Sequence, residues 1–282
     1  PNVDYCSFRF VNKYTNVISV TRGITEPVKI LEDNGVMITV FNNGGIGYGA
    51  TSNLTEAGIS DALGKAMEWS SFSKDKVTYY PDISPLKKHD GDYFTNEKEL
   101  WAQISTKDKI DFLKNINQEL KCSPSISNWA ASLRYNKIET FFMDSNDSHI
   151  RQRISYLLPQ VLVSAEYKKQ TQTRTFGGHA HARQIGYDFL DDIKFSEKSS
   201  NLANEAIELS RAPNCPDKKT KIVISPDQMI LQIHESIGHP LELDRILGDE
   251  RNYAGSSFVK LDMFGKYKYG SELLNVTFDP TL

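Results

Sequence analysis

Residues 225–241 read Ser225-Pro226-Asp227-Gln228-Met229-Ile230-Leu231-Gln232-Ile233-His234-Glu235-Ser236-Ile237-Gly238-His239-Pro240-Leu241. The stretch opens as a helix should. Ser225 can cap, Pro226 suits the first helical position because its missing N–H is not needed there, and Gln228 can close the box. Ile230, Ile233, Ile237 and Leu241 recur at intervals of three and four, the spacing of one apolar helix face, so a core is expected behind them. Glu235 lies between two histidines. Two imidazoles with a carboxylate are the residue types of a metal hydrolase: nitrogens to hold an ion such as Zn²⁺, and a base to take a proton from the attacking water.

The histidines are five residues apart, and that spacing constrains the backbone. On a regular helix residues i and i+4 differ by ~40° around the axis, whereas i and i+5 differ by ~140°, which points His234 and His239 apart. A π-bulge widens the turn locally and would bring them together. Gly238 is easily deformed, and Pro240 removes a backbone donor just after His239. A bulge or break is therefore expected at residues 236–240. A buried helix whose His and Glu make ordinary hydrogen bonds stays open as the plainer reading of the same residues.

The rest of the chain bounds the possibilities. Its 282 residues allow about two domains or one large one. With 39% hydrophobic and 24% charged residues it is an ordinary globular composition. A formal net charge of −3 gives no reason to expect nucleic acid or an anionic membrane as partner. No apolar run reaches the ~18 residues of a membrane span. Cys6, Cys122 and Cys215 are too few and too scattered for a disulfide framework, so a reducing cytoplasm is the expected home.

Along the chain, residues 5–11, 16–22, 27–32 and 35–41 alternate as strands do, with Asp33-Asn34-Gly35 as a hairpin turn between the last two. A helix is expected at about 56–70, and a polar linker with Pro81 and Pro85 at 73–95. Asn96 with Glu99 suggests one helix start, and Ser105-Thr106 with Asp108 a second, carrying Ile110, Leu113, Ile116 and Leu120. Strands follow at about 126–135, 137–144, 149–156 and 160–173, then a helix near 197–211 that ends at Ala212-Pro213. Lys221–Ile224 reads as a short strand before the histidine motif. The expected fold class is α+β: strand meanders with packed helices in two N-terminal units (1–75 and 95–214), then the start of a C-terminal domain (221–282) carrying a deformed metal-binding helix.

Other features have blander explanations. In Asn43-Gly44-Gly45-Ile46-Gly47-Tyr48-Gly49 the third glycine of a nucleotide loop is missing, since Ala50 stands there, and the next helix starts too late to meet a phosphate. Close strand packing or a glycine bend is the better use. His179 and His181 suit a polar turn, His89 and His149 a solvated surface, and Cys215 a surface loop.

Residues 233–245, Ile-His-Glu-Ser-Ile-Gly-His-Pro-Leu-Glu-Leu-Asp-Arg, closely resemble the signature of the TldD/PmbA metallopeptidase family on its catalytic, TldD-like side. The N-terminal strands, residues 39–51 and the Ala-rich helix through Trp69 resemble its first domain. The resemblance implies a zinc peptidase with His234 and His239 as ligands and Glu235 as catalytic base. It implies unfolded peptides as substrate, held as an added β-strand with low sequence selectivity, and a homodimer or a heterodimer with a related subunit. It also implies a third ligand, a cysteine well beyond the motif. Here the sequence ends at Thr281-Leu282, in what reads as a strand-to-loop connection, with no cysteine after Cys215, so a truncated or processed form is expected. The alternative is a non-catalytic subunit of the same fold that binds peptide or partner without cleaving; hydrolysis of a non-peptide bond is a more distant one.

Overall fold

The computed structural model describes residues 2–77, 82–83 and 86–278. Its frame is one eight-stranded sheet, with helices laid along it, in a mixed α+β architecture. The first strand, β1 (Tyr5–Thr21), turns through Arg22 and Gly23, both at positive φ, into the two-residue β2 (Ile24–Thr25). Then come β3 (Lys29–Asn42), β4 (Gly45–Thr51) and the helix α1 (Glu56–Ser73). A short strand β5 (Asp90–Phe94) and a single tight turn at Trp101–Gln103 lead to α2 (Thr106–Leu120). The long strands β6 (Ile126–Asp144) and β7 (His149–Tyr167) follow, then β8 (Gln170–Gly177), a short α3 (Phe189–Asp192) and α4 (Phe195–Arg211). Spatial order is β4-β3-β1-β6-β7-β5, with β2 on β1 and β8 on β7; only β5 runs parallel to its neighbour.

Several sequence expectations merge into longer elements. Residues 5–11 and 16–22 are one strand, as are 126–135 with 137–144 and 149–156 with most of 160–173. The hairpin expected at Asp33-Asn34-Gly35 does not form. β3 runs straight through it, paired to β1 from Tyr5 opposite Phe41 to Val17 opposite Lys29. A turn at 33–35 would break that ladder and leave the backbone groups of β1 unpaired. The chain reverses instead at the next Asn-Gly pair, Asn43-Gly44, with φ of 49° and 80°, as a two-residue hairpin turn demands. There the Asn43 amide donates to Asp4 Oδ2 at 2.6 Å.

Three further expectations are corrected. The helix start at Asn96 and Glu99 yields only the one turn at 101–103, because the Glu99 backbone is tied to Tyr187 and Asp188 across the fold. The linker read at 73–95 carries the strand β5, pinned to β7 by the two-pronged Arg151–Asp92 pair at 2.6 and 2.9 Å; Pro81 and Pro85 lie outside the described residues. Residues 221–224 are not a strand, since among the described residues no strand lies alongside to pair them.

Two cores sit on the same strands. In the first, Phe8 and Phe10 of β1 with Val36, Ile38 and Val40 of β3 pack on Ala62 and Ala66 of α1. In the second, Ile18 and Val20 of β1, Leu133, Leu157 and Val161 meet Leu113, Ile116 and Leu120 of α2 and Leu202, Ala203 and Ala206 of α4. The glycines of β4 explain how α1 can lie so close. A Cβ on Gly45, Gly47 or Gly49 would fall 1.8–2.0 Å from the carbonyl oxygens of Ser70, Ala66 and Ala62, one helix turn apart. Every second residue of β4 is glycine because the helix backbone occupies the space of its side chains. Helix α1 is capped as a good N-terminus should be, Thr55 Oγ1 accepting from the Gly58 amide at 3.2 Å. Likewise Ser105 caps α2, accepting from the Asp108 amide at 3.1 Å.

Candidate metal centre

Helix α5 (Pro226–Ile233) starts where expected, with Pro226 in its first turn and Ser225 extended before it. The cap is made by backbone rather than side chain: Ser225 O accepts from the Met229 amide at 2.9 Å, and the Ser225 hydroxyl and Gln228 close no box. The expected apolar face is covered towards its far end only: Ile237 is buried and Ile233 and Leu241 partly so, while Ile230 is about half exposed. Periodicity states which side of a helix can be buried, not whether another element arrives to cover it.

Immediately after α5 the turn widens. Residues His234–Gly238 form a π-helical turn in which the His239 amide donates to His234 O, five residues back. The bulge falls two residues earlier than the 236–240 expected. Gly238 is also not its cause: it keeps right-handed helical angles, and a Cβ there would only touch Ile233 O at 3.9 Å. Pro240 is the better physical reason. Its ring nitrogen cannot donate to Ser236 O one turn back, and that carbonyl instead accepts from the Tyr269 hydroxyl at 2.5 Å. A tight turn at His239–Leu241 and the helix α6 (Leu243–Leu247) complete the segment.

The widened turn brings the two imidazoles face to edge, centroids 4.3 Å apart and planes at 70°. Glu235 sits between them, one carboxylate oxygen 4.0 Å from His234 Nε2 and the other 4.0 Å from His239 Nε2. One donor atom from each of the three lies within 4.8 Å of the others, the only such His/Cys/Asp/Glu group among the described residues. The two imidazole nitrogens are donors that suit zinc, with a carboxylate beside them placed as a base would be. Glu235 is 59% exposed and His239 28% exposed, so the site opens to solvent on the glutamate side. Beside it a cavity of about 180 Å³ is lined by Glu235, His239, Pro240, Arg245, Ser257 and Phe258.

Four residues of this centre escaped the sequence reading as contributors. Glu242 Oε1 is 2.8 Å from His239 Nδ1, and Arg245 pairs with the other oxygen of Glu242. The hydrogen bond with His239, reinforced by the Arg245 guanidinium, holds the Glu242 carboxyl below its ordinary value. Ser257 Oγ donates to Pro240 O at 2.6 Å, and Tyr269 reaches Ser236 as described. The orphaned Ser236 carbonyl was foreseeable from Pro240; that a tyrosine 33 residues on would fill it was not.

The remaining candidates fall elsewhere. His179 and His181 form a tight polar turn after Gly177-Gly178, His181 edge-on to Phe176 at 5.1 Å. His149 lies half exposed on β7 near Asp90. All three cysteines are free thiols, with Cys122 and Cys215 exposed and burial pushing the half-buried Cys6 up. No helix among the described residues is long and apolar enough to cross a membrane.

Comparison with known proteins places the body of the chain. Residues 6–70 match the model of PmbA/TldA metallopeptidase domain 1, and residues 99–212 match the PmbA/TldA metallopeptidase central domain. Over 95% of its length the chain is 25% identical to Metalloprotease MJ0996 of Methanocaldococcus jannaschii, of which it spans 61%. Among solved structures it is similar to a Thermotoga maritima MSB8 protein described as a candidate modulator of a DNA gyrase (TM-score 0.58, 12% identity, 75% of this chain and 46% of that one). A Bacteroides thetaiotaomicron protein of like description matches similarly (TM-score 0.58, 12% identity, 74% and 45%). At such identities the structural likeness speaks for the fold. With the two domain models covering most of the sheet and its helices, the chain belongs to the PmbA/TldD metallopeptidase family.

Proposed function

We propose that this protein is a zinc-dependent peptidase of the cytoplasm that hydrolyses unfolded peptides with little sequence selectivity, working as a dimer with itself or with a related subunit. The observation that carries the reading is the π-turn. It spends a distorted backbone on setting His234, Glu235 and His239 around one point, an arrangement that the plainer reading of a hydrogen-bonded helix does not need. His234 and His239 would hold the ion. When bound, zinc supplies Lewis acidity towards the scissile carbonyl and lowers the pKa of water.

The protein's own groups do the rest. Glu235, exposed and within reach of both imidazoles, takes the proton of the attacking water and passes it to the leaving amine. Arg245, engaged by Glu242, lines the adjoining cavity with its charge offset, and Phe258 offers it an apolar wall. Such a cavity suits one side chain of a peptide whose recognition rests mainly on its backbone.

The test is metal content by atomic emission of the full-length protein, with digestion of an unstructured peptide pool before and after chelation. Bound zinc and chelator-sensitive cleavage are expected. Zinc-free protein that still cleaves, or zinc-loaded protein that only binds peptide, overturns the assignment.

A further inference from the structure

We propose that Glu242 is the positioning residue for His239, with Arg245 clamping Glu242 in place; this rests on the metal reading of the preceding section. Glu242 Oε1 lies 2.8 Å from His239 Nδ1. The contact arises because His239–Leu241 is a turn of three residues per revolution, which places residue 242 directly above residue 239. A carboxylate oxygen at that distance requires the imidazole proton on Nδ1. The lone pair is thereby left on Nε2, the nitrogen that faces Glu235 at 4.0 Å. Arg245 closes the arrangement. Its Nε pairs with the second oxygen of Glu242 and stands 3.8 Å from Glu250; its Nη2, 3.2 Å from His239 Nδ1, makes no hydrogen bond to a nitrogen that already carries its proton.

Among the described residues His234 has no counterpart to Glu242. Its ring is 57% exposed, with Glu235 at 4.0 Å and the His239 ring as its neighbours. The two histidines of the motif are therefore unequal. His239 is held in one tautomer and one orientation before any ion arrives, whereas His234 has only Glu235 and the His239 ring beside it. A carboxylate behind a ligating imidazole raises its basicity and fixes its direction, and removing such a partner typically lowers metal affinity about 10–100-fold.

The experiment measures Zn²⁺ affinity of the metal-stripped full-length protein by competition with a chromophoric chelator, and the visible absorption of its Co²⁺ form. Glu242→Ala should bind zinc about 10–100-fold more weakly than wild type and shift the Co²⁺ bands. Glu242→Gln should lose less, since its amide oxygen still accepts from Nδ1–H. Wild-type affinity and spectrum in both variants, while His239→Ala loses the metal, would overturn the positioning role and leave the metal reading standing. Undiminished zinc binding by His239→Ala would overturn both. Should the alanine variant fail to fold, Glu242→Leu, which cannot accept from Nδ1–H, decides: weaker zinc binding at an unchanged unfolding midpoint supports the role, and unchanged binding removes it.

Discussion

The sheet body, residues 2–212, and the segment from 221 to 278 are built from similarly apolar sequence, yet they hold together by different means. In the body, Ile18, Val20, Leu113, Leu133, Leu157 and Val161 are fully buried between strands and helices. In the segment, Val223 is 97% exposed and Leu231 52%, and Tyr253 and Leu273 stand in solvent. The candidate metal centre is nevertheless well formed there. Its shape comes from backbone and polar contacts: the five-residue hydrogen bond, Tyr269 on Ser236, Ser257 on Pro240, and the His239–Glu242–Arg245 chain. Burial supplies the stability of one region, while local hydrogen bonding supplies the geometry of the other. Changes in the two should therefore separate cleanly into stability effects and chemical effects.

The largest separation is expected at Glu235. Glu235→Gln should reduce peptide hydrolysis by about 10²–10⁴-fold with zinc retained and the urea midpoint unmoved, because the side chain is exposed. Wild-type turnover would end its role as base. The mirror experiment is Gly47→Val, whose Cβ would fall 2.0 Å from Ala66 O and 2.4 Å from the Ser70 amide nitrogen. Pushing α1 off β4 should cost about 3 kcal/mol in urea unfolding and leave zinc affinity of the folded protein intact. A variant as stable as wild type would show that the close approach is not needed.

A smaller effect belongs to Lys109, 3% exposed, its ammonium donating to Trp101 O and Ile104 O and lying 3.9 Å from the Trp101 ring centroid. Burial pulls its pKa down to about 8, against about 10.4 in an unfolded chain. Between those values the unfolded chain binds more protons, so Lys109 makes stability rise with pH across that window; below about 8 both states hold the proton and its contribution is flat. Relative to Lys109→Met, the wild type should gain about 2 kcal/mol between pH 7.5 and 9.5; parallel pH profiles would refute a depressed lysine. The smallest effect is expected at Leu231→Gln, within about 0.5 kcal/mol, since the side chain is already half in water. A loss of several kcal/mol would break the comparison, by showing that this helix face is covered in solution.

Element types were mostly legible from sequence, and element lengths were not. Alternating β-branched and aromatic residues marked strands at 5–11 and 126–135, but a strand ends where its partner ends, and only pairing shows that. The two Asn-Gly pairs illustrate it: 34–35 lies inside a ladder and 43–44 turns, although their local chemistry is the same. Lys221–Ile224 had strand composition and no partner among the described residues, so it forms no strand and lies exposed. The Gly45, Gly47, Gly49 alternation was read as close packing, and the helix it admits is α1.

By itself the sequence determined the elements that depend on nearest neighbours: caps at Thr55 and Ser105, the start at Pro226, and a widened turn made necessary by two histidines five apart. These are short-range properties, governed by backbone sterics and hydrogen bonds within a turn or two. Only the tertiary structure decided what joins residues far apart in the chain. It drew the N-terminal strands and the later ones into one sheet through β1 and β6, brought Tyr269 to the carbonyl that Pro240 leaves free, and left Ile230 and Leu231 uncovered. Such contacts depend on where other elements arrive, which a local pattern does not encode.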